Sequence, residues 1–284
     1  MIVIASCPGH ISGYFRRVSV PGNGVRGSTG AGIVIDPGVM VTVTRADRTA
    51  VSIRKRTSRR SVQIADRSPP IESALRTIGA TAQVVTECHL PIGAGFGLSA
   101  AALLATLTAV NRLEGLGLEP HEIARVAHET EVAHRTGLGD VSACQAGGRV
   151  VRRSAGIDGE ILRFSDMPGP IHTVSFGPIS TPSVLGSNEQ MERVQRAFPE
   201  NEPRSAEEFF RISRTFAEKS GLVTPEVERV LTACAAEGIP ASMTMLGNGV
   251  FAYGARAHAV LRQFGEVSTC TMARHGARII EVLP

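Results

Sequence analysis

Tryptophan is absent from this 284-residue chain, tyrosine occurs twice, and lysine only at Lys55 and Lys219, so 28 of the 30 basic residues are arginine. A Walker-type nucleotide site closes its glycine-rich loop with Gly-Lys-Ser/Thr, and neither lysine follows a glycine. Any nucleoside triphosphate bound here is therefore held without a P-loop lysine. Paired cysteines are lacking as well. Cys7, Cys88, Cys144, Cys234 and Cys270 stand singly with no C-x-x-C spacing, which excludes a zinc ribbon or a disulfide framework and points to a reducing, cytoplasmic setting. The longest run of apolar and small residues, 98–110, has 13 positions where a membrane span needs about 20. No basic n-region precedes the strand-like start, as a signal peptide requires. Aromatics are also missing from the one basic cluster, residues 54–60. Without a stacking platform it reads as a solvated strand or hairpin face, and no nucleic-acid partner is expected.

The chain is rich enough in apolar residues, at 43%, and low enough in Gly plus Pro to fold around a real core. Short β-type runs punctuated by Gly and Pro fill the first part, at 1–6, 32–36, 39–45, 50–54, 61–65 and 82–89. Helices are predicted over 71–78, over 97–113 as a buried helix small and apolar almost all round, and from Pro120 to before Gly137. Residues 150–153 and 161–164 flank Gly156-Ile157-Asp158-Gly159 as a hairpin. The texture changes at Pro168-Gly169-Pro170, which places a domain boundary between 1–167 and 168–284. Beyond it come a strand at 171–176, helices at 188–198, 205–220 and 224–237, and strands at 241–245, 250–253 and 267–272. Helices gathered on one side of strands imply an α+β fold rather than a doubly wound sheet.

Between the strand at 82–89 and the buried helix lies Pro91-Ile92-Gly93-Ala94-Gly95-Phe96-Gly97-Leu98-Ser99-Ala100-Ala101. Glycines allow close backbone approach, and the unpaired N–H groups of a helix start carry partial positive charge, so this segment is an anion cradle suited to phosphate. It is not a dinucleotide fingerprint, because Leu98 occupies the third glycine position of G-x-G-x-x-G. His128-Glu129-Thr130-Glu131 is not a zincin motif, because Val132 follows.

The loop resembles that of the GHMP kinases, P-x-x-x-G-L-x-S-S-A-A. Pro91, Gly95, Ser99, Ala100 and Ala101 match, while Phe96 and Leu98 depart from it. Cys7-Pro8-Gly9-His10 is similar to the family's A-P-G-[KR] opening, and Met245-Leu246-Gly247-Asn248-Gly249-Val250 to its third motif. The resemblance implies a two-domain fold, with a ribosomal-protein-like N-terminal β/α domain that binds ATP and a ferredoxin-like C-terminal α+β domain. It also implies phosphorylation of a small-molecule alcohol by ATP with Mg²⁺. Four shorter runs, 8–15, 27–32, 136–141 and 242–247, resemble archaeal members of the family whose acceptor is (R)-pantoate, ahead of sister kinases such as one acting on shikimate.

The same resemblance distributes roles. Pro91, Gly93, Ala94, Gly95, Phe96, Gly97, Leu98, Ser99 and Ala100 hold the nucleotide, and Ser99 contacts Mg²⁺ or caps the helix. A Glu from the preceding helix completes the metal site. Glu131 shares a helix face with Ile123, Ala124 and Ala127, whereas Glu129 points to solvent, so Glu131 is the expected ligand. Asp140, after Gly137-Leu138-Gly139, matches the catalytic aspartate. His10 is either a catalytic and substrate contact beside Asp140 or a buried structural histidine. Ser28, Gly30, Ala31 and Gly247 are expected on the substrate side, the first three in a loop, with Arg26 a candidate clamp for the acceptor carboxylate. A homodimer stays open.

Overall fold

Buried and half-exposed residues alternate along the first strands, the pattern of a sheet covered on one face only. The structure, a computed structural model, describes residues 1–20, 24–57, 60–179, 184 and 186–284. Strands β1 (Ile2–Val20) and β2 (Gly24–Arg45) run much further than the short segments the sequence predicts. They pair antiparallel from Ile2↔Thr44 to Val20↔Gly24, with register shifts at Cys7/Gly9, Ser12/Tyr14 and Val18/Ser19. These bulges absorb Pro8 and Gly13, which read as strand breaks in the sequence; a bulge is where an extended strand tolerates such residues.

Strands β3 (Ala50–Arg56), β4 (Ser61–Ala65) and β5 (Ala82–Cys88) extend this sheet in the order β4-β3-β5-β2, with β3 and β5 parallel. The basic cluster falls on the β3–β4 edge hairpin, where Lys55 and Arg56 are exposed; Ser58 and Arg59 lie outside the described residues. Helices α1 (Pro69–Thr77), α2 (Leu98–Glu114) and α3 (Pro120–His134) follow, and α2 packs on β1 and β2 with most of its circumference buried. After the Gly137-Leu138-Gly139 turn a short helix α4 (Asp140–Cys144) follows, which the sequence does not predict. Strands β6 (Arg149–Arg152) and β7 (Ile161–Phe164) form the predicted hairpin, and β6 pairs with β2 so that Gly30 faces Arg152.

The second part contains β8 (Ile171–Pro178), α5 (Asn188–Ala197), α6 (Ala206–Ser220), α7 (Pro225–Ala236), β9 (Ala241–Met243), β10 (Gly247–Tyr253), α8 (Ala257–Leu261), β11 (Val267–Met272) and β12 (Arg278–Leu283). Its sheet runs β11-β8-β10-β9, and β11 touches β2 at Thr271↔Asp36 and Met272↔Ile35. Two elements, α8 and β12, were not expected from the sequence. β12 returns to the first sheet and pairs with β1, Ile2 opposite Leu283. The architecture is α+β, and no helix among the described residues is long and apolar enough to cross a membrane.

Candidate active site

The glycine loop, the α3–α4 connection, β2 and the turn before β10 converge on a cleft of about 330 Å³. Its floor is the loop itself. Gly93, Gly95 and Gly97 all have positive φ, a region open to glycine, and Gly97 leads into α2 with no side-chain cap. The first N–H groups of α2 are thus left for a ligand. Gly247 fixes the loop from below, since a Cβ there would lie 2.0 Å from the Ala94 carbonyl oxygen. His10 N–H donates to the Phe96 carbonyl at 2.9 Å, tying β1 to the same loop.

Gly93, Gly95, Phe96, Gly97, Leu98 and Ser99 line the cleft. Ala94 and Ala100 are buried beneath it and Pro91 is half-buried at its start. Ser99 is the second residue of α2 and not its N-cap, which is Gly97. Ser28 also lines the cleft, but Gly30 and Ala31 do not. All three belong to β2 and not to a loop, and the latter two are paired with Arg152 and Val151 of β6.

The acidic part of the wall is Asp140 of α4, with Glu131 of α3 buried behind it and not lining the cleft. Asp140 opens α4 and accepts a hydrogen bond from His10 Nδ1 at 2.6 Å across the chain. His10 is fully buried and does not line the cleft; its side chain reaches it through Asp140. Burial holds the His10 pKa below its ordinary value, so the ring is neutral and donates from Nδ1. Burial pushes the Asp140 carboxyl up, but the His10 bond and the Arg152 charge outweigh it and hold the pKa below the usual carboxylate value. Glu131 is likewise fully buried, with no hydrogen bond of ordinary geometry to either carboxylate oxygen and only the Val141 backbone N–H near it, while Glu129 is exposed. Burial first, and then the neighbouring Asp140 charge, drive the Glu131 pKa well upward. The two carboxylates meet at Gly137: a Cβ there would lie 2.3 Å from Glu131 Oε1 and 2.8 Å from Asp140 Oδ2. An orphaned, buried carboxylate beside a second one is a set of hard oxygen donors that a divalent cation fits. Among the described residues no three His, Cys, Asp or Glu side chains cluster to hold a metal alone, so phosphate oxygens and Ser99 would complete the shell.

Next to Asp140 stands Arg152, which the sequence did not single out among 28 arginines. It is 2% exposed, lines the cleft beside Asp140 and donates from Nη1 to Ser28 Oγ at 3.2 Å. Its signal lies only in the pairing of β6 with β2, which no local pattern reveals. Arg26 is not in this cleft; it lines another cavity. A further hollow of about 200 Å³ adjoins the loop on the other side, lined by Ile53, Ser68, Pro70, Ile71, Thr86 and Cys88, and shares Ile92, Leu98 and Ser99 with the cleft. Thr86 Oγ1, buried there, has no hydrogen-bond partner.

Comparison with known proteins places this geometry. The family described as "GHMP kinases N terminal domain" matches residues 69–148. The pantoate kinase of Methanospirillum hungatei is 47% identical over 280 residues, covering 98% of this chain and 96% of its own. That of Thermococcus kodakarensis is 31% identical, with 89% and 87% covered. Among solved structures, a "phosphotransferase related to CoA biosynthesis pathway" superposes with a TM-score of 0.78 at 24% identity, covering 98% of each chain. Homoserine kinase from Cytophaga hutchinsonii superposes with a TM-score of 0.64 at 19% identity, covering 98% of this chain and 97% of its own. At these identities the structural likeness speaks for the fold.

Proposed function

The chain belongs to the GHMP kinase family, among its pantoate-phosphorylating members, and from that premise we propose how its residues divide the transfer of a phosphoryl group from ATP to the 4-hydroxyl of (R)-pantoate, a step toward coenzyme A in archaea. The observation that carries the reading is Asp140 and Arg152 side by side in one cleft with the phosphate loop, in a chain 47% identical to a pantoate kinase along nearly its whole length.

Phosphoryl transfer requires positioning and charge neutralisation more than covalent work. The triphosphate lies along residues 93–100, held by backbone N–H groups and the start of α2, with its base in the apolar hollow between α1 and β5. The acceptor then occupies the Asp140 side. Its hydroxyl oxygen attacks the γ-phosphorus, the bond to the β,γ-bridging oxygen breaks to release ADP, and the hydroxyl proton passes to the Asp140 carboxylate. His10 is a positioning residue: its Nδ1–H fixes one Asp140 oxygen and keeps the carboxylate ionised. Arg152, with Ser28, receives the pantoate carboxylate, because a buried guanidinium suits a planar anion. Ser99 and Glu131 would hold a Mg²⁺ ion, which when bound would supply neutralisation of charge on the phosphates. Gly247 supports the loop. Gly30 lets β1 lie close against β2, since a Cβ there would meet the Tyr14 carbonyl at 2.2 Å, and Gly30 and Ala31 pair with Arg152 and Val151 of the β6 strand.

We assign 1–167 as the ATP-binding unit and 168–284 as the second unit, with β12 returned to the first sheet. Five buried free thiols suit the cytoplasm. ADP release measured over a panel of hydroxy acids tests the acceptor. Pantoate is expected to give the highest kcat/KM, and a higher value for shikimate, mevalonate or homoserine would overturn the assignment.

A further inference from the structure

Side chains alternate across the β1–β2 ribbon, so the residues next to the cleft-facing ones point to its other side. Phe15 and Ser28 line the catalytic cleft. Their neighbours Arg16 and Thr29, directly paired across the two strands, line a separate cavity of about 400 Å³ together with Val18, Arg26, Arg153 and Ala155. That volume is in the range of small-molecule sites.

Two observations give the cavity a chemistry. Thr29 is 6% exposed, and its buried hydroxyl has no hydrogen-bond partner, a cost of about 1–3 kcal/mol that a ligand atom or water would relieve. Beside it the positive charge is only partly matched. Arg153 is forked onto Glu202 and bound to Glu160. Asp158, on the rim, is bonded to His121. Neither Arg16 nor Arg26 forms an ion pair within 4.0 Å among the described residues, and the charge of Arg26 is felt by Asp158 only at longer range. Arg16 is instead held by stacking on Phe198, 4.3 Å from the ring centroid, which presents its guanidinium edge rather than letting it wander.

We propose that this cavity is a second anion site that takes a phosphate-bearing small molecule and acts on acceptor binding through the shared ribbon. Two guanidinium groups and one hydroxyl offer donors from several directions, which matches a tetrahedral dianion better than a planar carboxylate. A ligand that draws Arg16 and Thr29 together changes the seat of Phe15 and Ser28, the adjacent residues on the opposite face. Its effect falls on the KM for pantoate and leaves kcat alone.

The test uses the full chain with the cleft filled by pantoate and a non-hydrolysable ATP analogue. Inorganic phosphate and 4-phosphopantoate are titrated separately by calorimetry. One additional binding event per chain is expected, weakened about tenfold by Arg26→Gln or Arg16→Gln, each of which removes charge-assisted bonds, and less by Thr29→Val. Arg26 is exposed, so its variant reports on binding without disturbing the fold. Tighter binding of 4-phosphopantoate than of phosphate would place the organic part against Val18 and Ala155; equal affinity would make phosphate itself the ligand. In steady state, the anion is expected to shift the KM for pantoate in wild type and not in Arg26→Gln. No additional binding in wild type, or binding that all three variants leave unchanged, overturns the proposal.

Discussion

The two halves of the catalytic cleft are built on opposite principles. On the acceptor side, Asp140, Glu131, His10 and Arg152 crowd four ionisable groups into a space where three of them are at most 2% exposed. On the nucleotide side, none of the residues described around the loop and its adjoining hollow is charged, and the ligand meets glycine backbone, small side chains and one helix start. On the proposed division, a flexible polyanion would be gripped by geometry. A small acid that must be told from other small acids would be gripped by buried charge, whose loss is costly because its partners stay behind.

Asp140→Asn should break the acceptor half most severely. Asn keeps size and an acceptor but cannot take the proton, and a kcat loss of about 10² to 10⁴-fold is expected. Calorimetry should find ATP affinity nearly intact. Near-normal turnover would remove Asp140 from the mechanism and with it the division between the halves.

Arg152→Gln tests recognition rather than chemistry. A missing carboxylate partner costs about 1–3 kcal/mol, roughly 5- to 150-fold in kcat/KM for pantoate. Pantoyl alcohol, which lacks the carboxylate, should be a poor substrate of wild type and should lose little more in the variant. If the variant discriminates between the two acceptors as well as wild type does, the cation lies elsewhere.

The proposed Mg²⁺ site would belong to both halves. Glu131→Ala and Ser99→Ala should each raise the Mg²⁺ concentration needed for half-maximal rate, by about tenfold for loss of the carboxylate ligand, while Glu129→Ala leaves it alone. Equal sensitivity at 129 and 131 would contradict the placement of the buried oxygen donors.

Gly247→Ala probes the neutral half, where only shape matters. A Cβ at that position meets Ala94 and the Gly95 nitrogen, so the loop must move, at about 1–3 kcal/mol for overpacking. A rise in KM for ATP with an unchanged KM for pantoate, and a lowered melting temperature, are the expected readouts.

Legibility in the sequence followed the same divide. The loop is contiguous, and its glycines, its following buried helix and its place after a strand are all local, so its position could be read directly. Glu131 was separable from Glu129 by helix periodicity alone, and their burial agrees. Arg152 was not legible, because a strand arginine becomes a site residue only through its pairing with β2, which is non-local. His10 was legible as a candidate but not in its manner of action, since its bond to Asp140 spans 130 positions and its burial is a property of the packed sheet. Long strands hid behind Pro8 and Gly13, whose breaking tendency the bulges accommodate. Strand β12 carries little internal alternation, with five of its six residues exposed, and nothing local marks it as a partner of β1.

That partnership has a consequence for assembly. Ile2 lies opposite Leu283, so the outer edge of β1 stays without a neighbour until β12, far away in sequence, has docked on it. An unpaired edge is a template for other chains. Anything that loosens β12 therefore uncovers an edge at which a second molecule can add its own strand, and the folded molecule guards against this by pairing β1 from within.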